Sequence, residues 1–298
     1  MAAKNNTWSS RSFARHWQHQ IFYLFIKIGG QPLAYALLYV VSWYYVLFSR
    51  TIRQRTYPYL HRRLGRKPRI RESFALCHSF GKTLVDRAII GILGGETFQA
   101  TLHGREELLA LLQEEKGLLL MTAHVGCWQG AMSALESLGK PVNLLMQKEA
   151  GDVDRHYFEH QGKACPYTII DPRGFLGGTL EILQALKRGE VVSVMGDRML
   201  GNDRNSMEVK FLGETILLPF SAYKLASASQ APIAVLLSAK TEARQYELTL
   251  YGVIRVAPDL PNRPQNFIEH GKQFAAFLED YCDTYPYQFY NFYDLWRK

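Results

Sequence analysis

The chain has 298 residues, 47% of them hydrophobic and 21% charged, and its formal net charge is +8. This composition is typical of a folded protein with a sizeable core and excludes a disordered or low-complexity chain. The four cysteines are widely spaced and form no CxxC pair, so we expect reduced thiols and predict neither a disulfide framework nor a metal site.

The positive charge is confined to the amino-terminal quarter of the chain. Residues 1–71 contain thirteen Lys and Arg and no Asp or Glu, whereas the rest of the chain is acidic overall. Since the basic residues adjoin an apolar run and no nucleic-acid-binding motif follows, we expect no nucleic acid as a partner. An anionic membrane surface fits this charge distribution better.

The most hydrophobic segment lies within this basic quarter. No charged residue occurs between Lys27 and Arg50. Gly29-Gly-Gln-Pro32 predicts a break in this segment, and Pro32 predicts the start of an apolar helix over residues 33–49. At about 1.5 Å per residue this helix is roughly 26 Å long, slightly short of the hydrocarbon core of a bilayer at about 30 Å. A tilted span and an interfacial helix both remain open, and a buried core helix is the alternative to membrane attachment. We interpret residues 1–71 as a membrane-anchoring segment, and the basic residues from Arg50 onwards predict a cytoplasmic location for the following domain.

Beyond the basic segment, short apolar runs alternate with amphipathic segments. Strands are predicted over residues 118–123, 142–146, 167–170 and 191–195, and helices over residues 128–138, 152–162 and 179–188. Because strand and helix units alternate, this pattern predicts an α/β fold with a mostly parallel central sheet flanked by helices.

Polar residues follow several of these strands, at what should be one edge of the sheet. His124 follows the first strand and Asp197 the last, so the imidazole is a candidate general base and the carboxylate its candidate partner. Arg198 adds a positive charge suited to a phosphate or an anionic head group. Gly126 allows a tight turn into a helix whose N–H groups suit an oxyanion, and Arg173 follows a third strand. Spacing alone leaves open that His124 is a structural residue and that Arg173 is a solvated turn residue.

Several segments together resemble the lysophospholipid acyltransferase superfamily, in the branch that contains the bacterial lipid A late acyltransferases. They are Ala123-His-Val-Gly126, Met195-Gly-Asp-Arg-Met-Leu200, Val209-Lys-Phe-Leu-Gly213, Ala231-Pro-Ile-Ala-Val235 and the tail Tyr285–Trp296. The likeness is closer still to the acyltransferases of aryl polyene and related lipid-pigment pathways. The tail holds seven aromatic residues with few charges, and we expect it to pack near the site.

The resemblance implies the transfer of a fatty or polyene acyl group to a hydroxyl or amine of a membrane lipid, with His124 as general base. The donor would be a thioester of acyl carrier protein or coenzyme A, and no further cofactor is implied. The resemblance also implies an acyltransferase domain over residues 72–298, on the cytoplasmic side of a bacterial inner membrane.

One position departs from the family motif His-x4-Asp/Glu, because the acidic residue is replaced by Gln129. An amide accepts a hydrogen bond from an imidazole but does not offset the charge of an imidazolium. Three explanations remain open: Asp197 supplies the carboxylate, Gln129 suffices for a slow enzyme, or the chain has lost activity. In the last case it would bind lipid or acyl carrier protein without transfer.

Overall fold

The computed structural model describes residues 16–94, 97–127, 134–135, 137–146, 167–199 and 205–296. Within these residues the chain forms a seven-stranded sheet with helices on both faces and a separate two-stranded hairpin. The helix predicted over residues 152–162, and most of the helix predicted over residues 128–138, lie outside the described residues.

The first three helices precede the sheet, and they are α1 (His16–Phe48), α2 (Arg50–Leu64) and α3 (Ile70–Leu93). α1 is broken at Gly30, whose backbone angles are φ 60° and ψ −153°, shortly before Pro32. The predicted break and the apolar helix after it are therefore confirmed, although residues before the break are helical as well. Among the described residues, one helical segment, Gln20–Phe48, is long and apolar enough to cross a membrane.

The remaining elements alternate between strands and helices. They are β1 (Gln99–His103), α4 (Arg105–Leu112), β2 (Leu118–Thr122), β3 (Val142–Leu145), β4 (Tyr167–Ile170), α5 (Thr179–Lys187), β5 (Val191–Met195), β6 (Ser206–Phe211), β7 (Glu214–Pro219), α6 (Ser221–Ser229), β8 (Ile233–Lys240), β9 (Gln245–Ile254) and α7 (Ile268–Thr284). Short 3₁₀ turns precede α5 and α7.

The large sheet has the strand order β1-β9-β8-β2-β5-β3-β4. Neighbouring strands are parallel except β8 and β9, which are antiparallel. The predicted α/β fold with a mostly parallel sheet is thus confirmed. β4 and β5 have the predicted bounds, β2 and β3 each end one residue early, and the other strands have no counterpart among the predicted ones.

The core lies on both faces of this sheet. Leu118 and Leu120 of β2 face a layer built from α1, α3 and α4, whereas Leu119 and Met121 face α5, α6, α7 and the β6–β7 hairpin. Successive side chains of a strand point to opposite faces, so a strand covered on both sides needs a continuous apolar run. This requirement explains why the buried part of β2 is apolar throughout. Polar side chains therefore occur only at its carboxyl end.

Candidate active site

The pairing of β2 with β5 brings His124 and Asp197 together. The two strands are parallel, with Thr122 opposite Met195. The N–H of Gly196 then donates to the Thr122 carbonyl at 2.8 Å, which continues the pairing past the end of the strands. The two candidate residues therefore meet at the carboxyl edge of the sheet, where the sequence analysis expected them.

The Asp197 carboxylate contacts both the ring and the backbone of His124. Nδ1 of the imidazole lies 2.9 Å from Oδ1 and 3.1 Å from Oδ2, and the backbone N–H of His124 donates to Oδ2 at 3.1 Å. Because a carboxylate only accepts hydrogen bonds, Nδ1 carries the proton in the neutral imidazole and Nε2 is the basic nitrogen. The Asp197 side chain is 1% exposed and that of His124 is 26% exposed. The carboxylate is thus shielded from water while the imidazole can be reached.

The surroundings keep the imidazole neutral and the carboxylate ionised. Burial holds the pKa of His124 below its ordinary 6.5, the charge of Arg198 lowers it further, and Asp197 opposes both effects. Burial by itself would raise the pKa of Asp197, but the charge and hydrogen bonds of His124, together with the charge of Arg198, hold it below its ordinary 3.8. At neutral pH His124 is therefore in the form that can accept a proton.

Arg198 is buried beside this pair. Its side chain is 7% exposed, and its Nε lies 4.0 Å from Oδ2 of Asp197. Its Nη2 donates to the carbonyl of Tyr290 at 2.7 Å, and its guanidinium lies 5.3 Å from the ring centroid of Tyr293. The guanidinium therefore joins the strand end to the carboxyl-terminal tail. Binding of an anionic substrate group by Arg198 stays a prediction.

The aromatic tail packs directly against the loop that carries His124. The N–H of Tyr290 donates to the His124 carbonyl at 2.8 Å, and Phe289 forms an isolated antiparallel bridge with Val125. The expectation that the tail packs near the site is confirmed. These contacts hold the backbone from the His124 carbonyl to Val125.

Helix α3 contributes polar groups that the sequence analysis missed. The Tyr290 hydroxyl lies 3.0 Å from Oγ of Ser79 and accepts a hydrogen bond from Thr83 at 3.2 Å. The positive charge of Arg87, on the same helix, also lowers the pKa of His124. No local pattern marks Ser79 and Thr83, since their partner Tyr290 lies more than two hundred positions further along the chain.

Gly126 is required by packing. Its φ is 50°, and a Cβ at this position would lie 2.0 Å from the carbonyl oxygen of Ser238. Its N–H donates to the carbonyl of Gln288 at 3.1 Å, so this amide is engaged within the protein and does not face an oxyanion. The start of the helix that was expected to follow it lies outside the described residues.

Of the other two predicted site residues, Arg173 lies away from His124 and Gln129 lies outside the described residues. Arg173 follows β4, which is separated from β2 by β5 and β3, so it lies about 14 Å along the edge at roughly 4.8 Å per strand. Its side chain is 54% exposed and its Nη2 lies 3.1 Å from Oδ2 of Asp171. A contact of either residue with substrate stays a prediction.

The geometry suits proton abstraction from a group placed against Nε2 of His124. The imidazole is oriented by Asp197, its backbone is held by the tail, and its ring is accessible, which are the requirements of a general base. Within the described part of the chain, no group of three or more His, Cys, Asp or Glu side chains has the arrangement of a metal site.

Comparison with known families finds a match over most of the chain. A model of the family described as bacterial lipid A biosynthesis acyltransferase matches residues 64–298. The match contains the sheet, the His124–Asp197 pair and the tail, and it begins at the end of α2. No curated protein matches the chain. The resemblance to the lipid A branch is confirmed, and the closer likeness to aryl polyene acyltransferases stays a prediction.

Proposed function

Because this chain belongs to the bacterial lipid A biosynthesis acyltransferase family, we propose that it transfers a fatty or polyene acyl group from a thioester to a hydroxyl or amine of a membrane lipid. Membership in the family implies lipid acyltransferase activity. Family membership alone does not specify the thioester donor, the base or the membrane location, and these three are our proposal. The observation that carries the choice of base is the hydrogen-bonded pair of His124 and Asp197 at the edge of the sheet.

In the proposed reaction, Nε2 of His124 takes the proton of the acceptor as its oxygen or nitrogen attacks the thioester carbonyl carbon. The tetrahedral intermediate then collapses, the carbon–sulfur bond breaks, and the departing thiolate takes the proton back from the imidazolium. The donor is an acyl carrier protein or acyl-coenzyme A thioester, and no acyl-enzyme forms. The imidazolium exists only between these two steps, so a nearby negative charge lowers the barrier.

Asp197 is the residue that supplies this charge in our proposal. Its carboxylate is ionised, is 1% exposed and lies 2.9 Å from Nδ1 of the imidazole. This arrangement supports the first of the three explanations for Gln129, in which the partner of the base comes from the neighbouring strand. Arg198 is then a positioning residue, because it holds the tail beside the His124 backbone.

We place the protein at the cytoplasmic face of a bacterial inner membrane. The support is the apolar segment Gln20–Phe48, together with the thirteen basic and no acidic residues of the first 71. Apolar burial and attraction to anionic lipids act together in such segments. A membrane location would bring the folded domain to its lipid acceptors.

The first test is acyl transfer from labelled acyl carrier protein in purified membranes, with the lipid products identified by mass. We expect His124→Ala to lower the rate by about 10²–10⁴-fold, the usual contribution of a general base. His103→Ala is the matched control, since His103 is half-exposed on β1, which β9 and β8 separate from β2, and it should retain the wild-type rate.

A His124-dependent acylated lipid would establish the enzyme and identify its acceptor together. Equal transfer by wild type and His124→Ala would refute the base assignment. Absence of transfer by folded wild-type protein, with coenzyme A and carrier-protein donors both tried, would favour the alternative in which the chain binds lipid or acyl carrier protein without catalysis. Gln129 in the acidic position of the motif is the observation behind that alternative.

A further inference from the structure

We propose that α1 lies along the surface of the bilayer, with one face on the folded domain and the other in lipid, and does not cross the membrane. The proposal rests on the membrane association proposed above and adds the geometry of that association. In this arrangement, lipids of the cytoplasmic leaflet contact the exposed face of α1.

The inner face of α1 is joined to the folded domain by buried polar contacts. Gln31 Nε2 lies 3.2 Å from Oδ1 of Asp86, a fully buried residue of α3. The hydroxyl of Tyr35 donates to the same carboxylate at 2.7 Å, and Nζ of Lys240 lies 2.6 Å from its other oxygen. Gln31 also donates to the Ala243 carbonyl at 2.6 Å. α1 thus completes a charged cluster that reaches from α3 to the sheet.

Contacts of this face continue on both sides of the break in α1. Before the break, Ile26 is 1% exposed within the apolar core. After it, the Ser42 hydroxyl lies 3.3 Å from Nδ1 of His78, and the ring of Trp43 stacks on Phe74 at 4.2 Å between centroids. The inner face is therefore docked along most of the segment that is long enough to span a bilayer.

On each side of its break, α1 contributes to an apolar stripe that has no cover in the described structure. The stripe consists of Leu24 and Ile28 before the break and of Val40, Tyr44 and Phe48 after it, and these side chains are 54% to 75% exposed. Exposed apolar patches of this kind mark sites of interaction with a membrane or another protein. Tyrosines are favoured where hydrocarbon meets the head groups.

Charge complementarity identifies the partner as an anionic lipid surface. Lys27 and Arg50 are exposed near the two ends of the stripe, and the first 71 residues contain no acidic side chain. Arg53 donates to the carbonyls of Val46 and Leu47 at 2.6 and 2.7 Å, so the end of α1 is closed by a cation. An apolar face bordered by cations is the pattern of interfacial helices.

A transmembrane position of α1 is incompatible with these contacts. If α1 crossed the bilayer while docked, α3 would enter the hydrocarbon with Lys82, Asp86 and Arg87 on it. If α1 crossed alone, it would leave Asp86 and Lys240 without Gln31 and Tyr35 and would expose those two polar groups to lipid. Charged and unpaired polar groups are strongly disfavoured there, whereas an in-plane helix keeps every one of these contacts.

The test is protease protection of full-length protein that carries one epitope before Met1 and another after Lys298. We expect both epitopes to be protected in spheroplasts and both to be digested in inverted membrane vesicles. Digestion of the first epitope alone in spheroplasts would overturn the in-plane position, and retained acyl transfer in that case would leave the proposed function intact. Protein found only in the soluble fraction would overturn the membrane association itself.

A pair of charge variants tests which face contacts lipid. Val40→Glu places a carboxylate in the centre of the stripe, and we expect most of the protein to move from the membrane to the soluble fraction. Gln54→Glu adds the same charge on an exposed position of α2 and should leave the protein membrane-bound. Unchanged membrane binding of Val40→Glu, or conversion of a soluble dimer into a monomer by it, would refute lipid as the occupant.

Discussion

Asp197→Asn removes the charge of the proposed partner with almost no change in its size. In the wild-type protein the two carboxylate oxygens accept from two donors of His124, the ring Nδ1–H at 2.9 Å and the backbone N–H at 3.1 Å. An asparagine side chain has only one acceptor oxygen, and its NH₂ group donates. If the oxygen stays on the backbone N–H, the NH₂ group faces Nδ1 and forces the proton to Nε2. The nitrogen that should act as the base is then already protonated.

The expected loss follows from this tautomer change. The corresponding Asp-to-Asn change in the serine-protease triad lowers turnover about 10⁴-fold, or roughly 5.4 kcal/mol at about 1.36 kcal/mol per tenfold. Here the imidazole is 26% exposed, so water can partly replace the lost interactions. We therefore expect kcat/KM to fall by about 10³–10⁴-fold, equivalent to roughly 4–5.5 kcal/mol of transition-state stabilisation.

The assay is the initial rate of acyl transfer from labelled acyl carrier protein, with thermal unfolding as the check on folding. Asp171→Asn is the matched control, because its carboxylate lies at the same edge of the sheet but is 47% exposed and bound to Arg173. We expect this control to stay within about twofold of wild type, as surface ion pairs contribute little. A folded Asp197→Asn protein within about threefold of wild type would refute the reasoning. A strong rate increase in Gln129→Glu would then move the role to that position.

Three further predictions concern pH and stability. Burial holds the pKa of His124 below 6.5, so the basic form of the imidazole predominates at neutral pH. We therefore expect kcat/KM to be constant above about pH 7 and to fall on acidification with an apparent pKa below 6.5. An apparent pKa above 6.5 would contradict the assignment of His124 as the base. Gly126→Ala should lower the free energy of unfolding in a denaturant titration by about 3 kcal/mol or more, since its Cβ would lie 2.0 Å from a backbone carbonyl. Gly139→Ala should lower it by only about 1–2 kcal/mol, because this glycine has a positive φ but no neighbour within 4 Å among the described residues. Equal losses would show that the close approach at Gly126 is unimportant. Asp86→Asn should lower the free energy of unfolding by about 3–5 kcal/mol, because it leaves the buried ammonium of Lys240 without its carboxylate. Lys272→Met removes one partner of the exposed pair with Glu269 and should change the same free energy by less than about 1 kcal/mol.

The contacts of Asp197 with His124 bear on the replacement of the family's acidic residue by Gln129. The carboxylate of Asp197 already occupies Nδ1 of His124 and its backbone N–H. With Asp197 intact, the imidazole already has a charged partner, so a carboxylate at position 129 is not needed for that role. We therefore expect Gln129→Glu to leave the rate within about threefold of wild type when Asp197 is intact.

Local features of the sequence determine much of the architecture. The apolar run of β2 is continuous because this strand is covered on both faces, and this signal is readable from the residues alone. Gly30 and Pro32 break α1 where the sequence analysis expected, since the conformational limits of proline and the freedom of glycine act within one or two residues. The concentration of aromatic residues after α7 likewise indicates a segment that has to be buried.

The chemistry of the site depends on which segments become neighbours, and only the tertiary structure decides this. β2 and β5 are adjacent although β3 and β4 lie between them in the chain, and this order sets Asp197 against His124 while leaving Arg173 three strands away. The contacts of Tyr290 with α3, and of Gln31 and Tyr35 with Asp86, likewise join segments that are remote in the sequence. Hydrophobic periodicity reports only whether a side chain is buried. The identity of its neighbours is set by strand order, register and helix docking, which arise from packing the whole chain at once.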